Sequence, residues 1–209
     1  MAKLKVTVFG ASGRVGRLVV EEALRHGYEV TAFTHSKNLP EAAGLSVKQG
    51  DIHDAADVAR AVEGSQAVIS ALGSWGTPGK DVLAAGMQNI IAAMDSAGIK
   101  RLVSLSGSDA RAAGDDLGLL HRLSRASFKL IANKVLTDGE KHIKLLEASD
   151  LDWTVLRSPR MSKHGDSYKL VSQRSQPWSS VGRPSVASCL VEQLEDTEHI
   201  KQAPFIARA

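Results

Sequence analysis

The sequence predicts an α/β fold, a doubly wound parallel sheet of Rossmann type with helices on both faces. Three observations lead there. A short apolar strand near the N-terminus runs directly into a glycine-rich turn and a helix, strand-like and helix-like segments then alternate through the first hundred residues, and the fourth and fifth strand segments are largely apolar. Parallel neighbours need crossover connections, and strands covered on both faces lose the polar alternation of a half-exposed sheet.

Leu4, Val6 and Val8 alternate with Lys3, Lys5 and Thr7 until Gly10 stops the run, which marks the first strand. Val15, Leu18, Val19 and Ala23 then recur at helical spacing, with Gly27 suited to a C-terminal cap. Residues 28–34 are rich in β-branched and aromatic side chains and predict a second strand, and residues 45–49 a third. Asp54 is placed as N-cap of a helix through Val58 and Val62 that ends at Gly64. A fourth strand is expected over 67–72, a helix over about 80–97 closed by Gly98, and a fifth strand over 101–106. Farther on, 128–149 reads as one long helix broken near Gly139, 153–156 as a sixth strand, 159–183 as a polar loop region over a site, and 204–207 as a last edge strand, with a helix starting near Pro184. No repeat, low-complexity tract or linker interrupts this order, so one domain over 1–209 is expected, with acceptor-site loops mainly in 151–183.

With 209 residues, 43% of them hydrophobic and 23% charged, the composition is that of an ordinary globular chain. A formal net charge of +3 is too mild for a nucleic-acid binder and suits a small anionic ligand, so no nucleic-acid partner is expected. The single cysteine, Cys189, excludes an internal disulfide and points to a reducing, cytoplasmic compartment; its spacing from Val186 and Leu190 places it on a buried helix face. Neither a signal-peptide pattern nor an apolar run of spanning length is seen, so no membrane partner is expected.

The chemistry lies in Gly10-Ala11-Ser12-Gly13-Arg14-Val15-Gly16, three glycines spaced between a strand and a helix. Glycine is needed there because the chain turns sharply, the backbone must approach a pyrophosphate, and the helix must pack on the strand. Free N–H groups at the positive helix end then face the phosphates. In this strand-turn-helix context the spacing predicts a dinucleotide site.

From these residues onward the chain resembles the atypical short-chain dehydrogenase/reductase family, particularly small members related to flavin reductase, biliverdin-IXβ reductase and regulator-like NAD(P)H-binding proteins. The resemblance also rests on Gln49-Gly50-Asp51-Ile52, Ser70-Ala71-Leu72-Gly73, Ser104-Leu105-Ser106-Gly107 and Asp152-Trp153-Thr154-Val155-Leu156-Arg157-Ser158-Pro159. It implies that Asp51 and Ile52 hold the adenine and that Ala71, Leu72 and Gly73 line the path to the nicotinamide ribose.

Charge decides between the two dinucleotides. An acidic residue at the end of the second strand would bind the ribose hydroxyls of NAD, yet none occurs between Val30 and Pro40. Thr34, His35, Ser36 and Lys37 stand there instead, with Arg14 in the turn, a set suited to a 2′-phosphate. NADP is therefore expected over NAD, against the plainer reading of Lys37 and Arg14 as solvated surface charges.

Conventional short-chain dehydrogenases use a Tyr four residues before a Lys as general acid, and neither Tyr28 nor Tyr168 has a Lys at that spacing. Hydride delivery to a conjugated ring needs mainly alignment, and solvent supplies the proton. The expected activity is thus NADPH-dependent reduction of a planar conjugated acceptor, flavin or quinone-like. The alternatives are a non-catalytic redox sensor acting through a protein partner and, more remotely, an epimerase or dehydratase. Ser106 is the candidate catalytic residue, or a strand-end hydroxyl satisfying local backbone; Trp75 is a stacking platform for the acceptor or a packing residue under its loop; Arg160 is an acceptor contact. The biliverdin-reductase pattern has a histidine where Arg160 stands, which counts against tetrapyrrole reduction. Arg157, Arg160, Lys163, Lys169, Arg174 and Arg183 outnumber Asp152 and Asp166, which suits an anionic acceptor or a solvated basic loop. Metal, hydrolase and Walker-type nucleotide chemistry find no pattern, and Lys134 and Lys141 read as surface helix charges.

Overall fold

The computed structural model describes residues 3–209 except 38, 76, 78, 79, 116–118, 166 and 173–178. Its main sheet contains β1 (Lys5–Phe9), β2 (Glu29–Thr34), β3 (Leu45–Gln49), β4 (Ala67–Ser70), β5 (Arg101–Gly107), β6 (Asp152–Ser158), β8 (Lys169–Val171) and β10 (Phe205–Ala207). Their order is β3-β2-β1-β4-β5-β6-β10-β8, parallel except for β8, which runs antiparallel to β10. A second, two-stranded parallel sheet pairs β7 (Arg160–Ser162) with β9 (Ser180–Gly182). The helices are α1 (Gly16–Arg25), α2 (Ala55–Val62), α3 (Val82–Ala97), α4 (Leu119–Glu147) and α5 (Arg183–Glu192).

Alternation along the central strands divides the core in two. Val8, Ile69 and Val103 pack with Val19 of α1 and Val186 and Leu190 of α5, while Phe9, Val68 and Leu102 pack with Val58 of α2, Ile90 of α3 and Ile143 of α4. Cys189 is buried in the first of these cores, and burial pushes its thiol up to about 12. The sheet is thus covered on both faces, as the apolar strands required. Asp54 caps α2 by accepting the N–H groups of Ala56 (2.8 Å) and Asp57 (3.2 Å), and Gly98 closes α3 in the left-handed region.

Four expectations need correction. Residues 159–183 are not simply a loop, since β7, β8 and β9 lie there; at three residues each they are too short to show a period, and Met161, Tyr168 and Leu170 pack on the first core. The last strand is not an edge, because β8 folds back to pair with β10. The fourth strand ends at Ser70, two residues early. The long helix starts at Leu119 and breaks at Ala132 (φ −136°, ψ 40°) rather than at Gly139. Gly139 serves packing instead: a Cβ there would stand 3.2 Å from both the Ala110 Cβ and the Ser106 Oγ.

Candidate dinucleotide and acceptor site

The turn after β1 lies between β1 and β4, where the strand order reverses and the ends of parallel strands leave a crevice. Gly10 adopts φ +74°, and a Cβ on it would stand 2.7 Å from the Ala71 carbonyl oxygen and 2.9 Å from the Leu72 nitrogen. A Cβ on Gly16 would stand 2.0 Å from the Gly10 carbonyl oxygen, so α1 packs directly on the turn. Gly13 differs. It is exposed, it donates its N–H to the Gly10 carbonyl (2.9 Å), and an added Cβ would meet only that oxygen, at 3.1 Å. Beside it Ser12 is half-buried, Arg14 exposed and Val15 buried, and Val15 at the N-cap position offers no side-chain cap to α1. An uncapped helix N-terminus beside an open glycine face is a cradle of the right chemistry for a pyrophosphate.

At the end of β2, Thr34 is buried with its Oγ1 lacking a hydrogen-bond partner, and His35, Ser36 and Lys37 are exposed. After β3, the exposed Asp51 accepts the His53 N–H (2.9 Å) and donates its own N–H to the Asp57 carboxylate (2.8 Å). That backbone bond, with Arg60 assisting, holds Asp57 below the usual carboxylate range. Gly50 admits the arrangement, because a Cβ there would stand 2.6 Å from Asp57 Oδ2. Ile52 accepts a hydrogen bond from Asn89 Nδ2 at its carbonyl (2.9 Å). A Cβ on Gly86 would stand 2.7 Å from Ile52 Cγ1 and 3.0 Å from Leu72 Cδ1, so α3 draws these two side chains together as a half-buried apolar shelf.

After β4, Ala71 and Leu72 are half-buried and Gly73 is exposed. Ser74 is buried and its hydroxyl donates to Asp138 of α4; Asp138 also accepts the N–H groups of Leu83 (3.0 Å) and Ala84 (2.9 Å) and so caps α3 from another helix. Trp75 is 67% exposed, so it is not buried beneath its loop.

Ser106 is 4% exposed, with its hydroxyl sealed and without a hydrogen-bond partner, so it is not satisfying local backbone. Gly139 lies against it, since a Cβ there would stand 3.2 Å from the Ser106 Oγ, and a glycine supplies no proton. Two residues back, Ser104 Oγ lies 2.8 Å from His142 Nε2, and full burial pushes that imidazole down to about 4. The tyrosines are engaged elsewhere: Tyr28 donates to Glu195 (2.8 Å) and Tyr168 to Glu192.

The basic segment loses one member. Arg157 is buried, paired with both carboxylate oxygens of Asp115, donating to the Ala203 carbonyl (2.7 Å) and lying 3.7 Å from the Phe205 ring centre, so it holds the fold. Arg183 reaches the Met161 carbonyl, whereas Arg160, Lys163 and Lys169 are exposed; Asp166 and Arg174 lie outside the described residues. Lys134 and Lys141 are exposed on α4. Sequence reasoning missed Asp57, Gly86, Asn89 and Asp138, and only Gly86, a glycine inside a helix, left a signal there. Among the described residues no helix is long and apolar enough to cross a membrane.

Residues 10–197 match a family model described as NAD(P)H-binding. A curated 2-alkyl-3-oxoalkanoate reductase of Shewanella oneidensis is 29% identical over 72% of this chain, which spans 43% of that protein's length. Among solved structures, an oxidoreductase from Lactococcus lactis superposes with a TM-score of 0.83 at 17% identity, covering 99% of this chain and 91% of the other. A short-chain dehydrogenase/reductase from Veillonella parvula in complex with NADP gives 0.81 at 15% identity, covering 99% and 95%. An anaerobillin reductase from Escherichia coli gives 0.76 at 20% identity, covering 98% and 97%. At these identities the structures establish the Rossmann-type fold.

Proposed function

The chain belongs to the NAD(P)H-binding family, and from that premise we propose that it is an NADPH-dependent reductase that delivers hydride to a planar conjugated acceptor, flavin or quinone-like. The observation that carries this reading is a pyrophosphate cradle at the strand-order reversal combined with a β5 end where Ser106 lies against Gly139, while both tyrosines are engaged elsewhere. Among the described residues such a site aligns two rings and places no side chain to protonate an alkoxide, which favours acceptors whose reduced form is stabilised by conjugation.

The bound dinucleotide would supply the hydride from its nicotinamide ring, with the balancing proton taken from solvent. In this reading Gly10, Ser12, Gly13, Val15 and Gly16 seat the pyrophosphate, and Asp51, Ile52 and Leu72 hold the adenine end. Arg14, Thr34, His35, Ser36 and Lys37 take the 2′-phosphate, and Ala71 and Gly73 border the nicotinamide ribose. Trp75, Arg160 and Ser106 address the acceptor. The NADP-bound Veillonella neighbour and the two relatives named as reductases support it. A cytoplasmic location and a small-molecule partner accompany it. A second reading, a redox sensor that binds the dinucleotide without turnover, is favoured by the sealed Ser106 hydroxyl.

The test is oxidation of NADPH and NADH with a panel of flavins and quinones, using the parent and Lys37→Ala. Turnover with NADPH is expected, with loss in the variant confined to NADPH at about tenfold, since NADH lacks the 2′-phosphate. Tight binding without turnover on any acceptor would establish the sensor instead. Equal losses with both cofactors would remove the NADP assignment.

A further inference from the structure

The long helix α4 carries two apolar side chains out into solvent at its break. Leu130 and Ile131 are 90% and 85% exposed, more than any other large apolar residue among those described, and they directly precede Ala132 with its non-helical backbone. A straight helix would hold residues 125 and 140 about 22 Å apart. Arg125 Nη2 instead lies 2.6 Å from Glu140 Oε1, a contact that two side chains make only if α4 bends sharply at Ala132. Arg125 Nη1 also donates to the Asp109 carbonyl (3.1 Å), which ties the arm before the break to the domain. Ala132 is itself buried, whereas Lys129, Leu130, Ile131, Asn133 and Lys134 are exposed on either side of it. The corner of the bent helix is thus an apolar tip flanked by cations. From 117 to 137 the sequence contains Arg122, Arg125, Lys129 and Lys134 and no Asp or Glu. The first acids beyond are occupied, since Asp138 is buried capping α3 and Glu140 is held by Arg125.

We propose that this corner docks on an anionic lipid surface, with Leu130 and Ile131 entering the boundary between headgroups and acyl chains and Lys129 and Lys134 meeting lipid phosphates. A second copy meeting the corner through the same patch would set cations against cations, with no acid in the segment to pair them. A protein partner calls for a complementary face of about 800 Å². Two projecting apolar side chains with basic neighbours instead match a charged leaflet, where a small apolar insertion and attraction to anionic headgroups add to give reversible binding. The lack of a spanning apolar run bears on crossing a bilayer, and lying on its surface requires none. The inference is independent of the reductase reading.

The experiment is co-sedimentation of the full chain with vesicles of phosphatidylcholine alone and of an equimolar mixture with phosphatidylglycerol. The parent should bind the mixed vesicles and not the neutral ones, and less so as salt rises. Leu130→Gln combined with Ile131→Gln should weaken that binding about tenfold or more. Lys129→Gln combined with Lys134→Gln should weaken it about fivefold for each charge removed. All four positions are exposed, so both double variants should unfold close to the parent's temperature, which reports an intact fold. No binding to the mixed vesicles, equal binding to neutral and mixed vesicles, or binding unchanged by either pair of substitutions would each overturn the proposal. So would a parent dimer, seen by analytical ultracentrifugation, that the apolar pair of substitutions dissociates, because a second copy would then cover the corner. Vesicle binding without turnover defeats only the catalytic reading, and turnover without vesicle binding defeats this inference alone.

Discussion

Gly13 and Gly16 occupy equivalent places in the glycine spacing, but their surroundings differ. An added Cβ would be 2.0 Å from backbone at Gly16, and 3.1 Å from a single oxygen with open space beyond at Gly13. Gly16→Ala should therefore lower stability by about 1–3 kcal/mol or more, as overpacking against backbone does. Gly13→Val should unfold near the parent's temperature yet lose NADPH binding, because the branched side chain occupies the open face of the cradle. Thermal unfolding and NADPH titration on both variants separate the two roles; a Gly13→Val protein that binds like the parent would make that glycine merely structural. The motif was legible because its spacing is local. The division of labour was not, because it depends on Ala71 and on the Gly10 carbonyl, whose positions only the folded chain defines. Ser106 was likewise found from its strand end, while its cover could not be, since Gly139 approaches from a helix far along the chain.

Helices show the same limit set by distance along the chain. Asp54 was readable as a cap because it directly precedes the helix whose N–H groups it accepts. Asp138 performs that service for α3 from 55 residues away, and no local pattern announces it. Its carboxylate satisfies two helix N–H groups, favours the positive end of α3 and holds Ser74 beside Trp75. Asp138→Ala should cost about 2–4 kcal/mol, combining a lost cap with buried donors left unpaired. Asp138→Asn, whose amide oxygen still accepts, should cost less. Urea unfolding gives both values, and an alanine variant within about 0.5 kcal/mol of the parent would show that the cap is dispensable. The three-residue strands β7, β8 and β9 escaped sequence analysis for a related reason, as their pairing with partners distant in the chain defines them.

Across the whole molecule, alternation of strands and helices was enough to anticipate a sheet covered on both faces. The polar contents of its core were not. Ser104 and His142 come from β5 and α4 and meet fully buried, and among the described residues the imidazole has no charged partner to offset its desolvation. Its proton affinity therefore falls from the ordinary 6.5 to about 4 in the folded protein. Between these values the unfolded chain binds the proton and the folded chain does not, so stability rises with pH across that window and is lost as pH falls through it. The loss amounts to about 3 kcal/mol by pH 4, a large share of the ~5–15 kcal/mol typical of a folded domain. For a chain of this length that corresponds to a fall of about 6–12 °C in unfolding temperature. His142→Gln keeps a polar partner for Ser104 but does not titrate, and its unfolding temperature should vary less between pH 6.5 and 4 than the parent's. Parallel pH profiles for the two proteins would mean that carboxylates, and not this buried imidazole, set the acid limit of the fold.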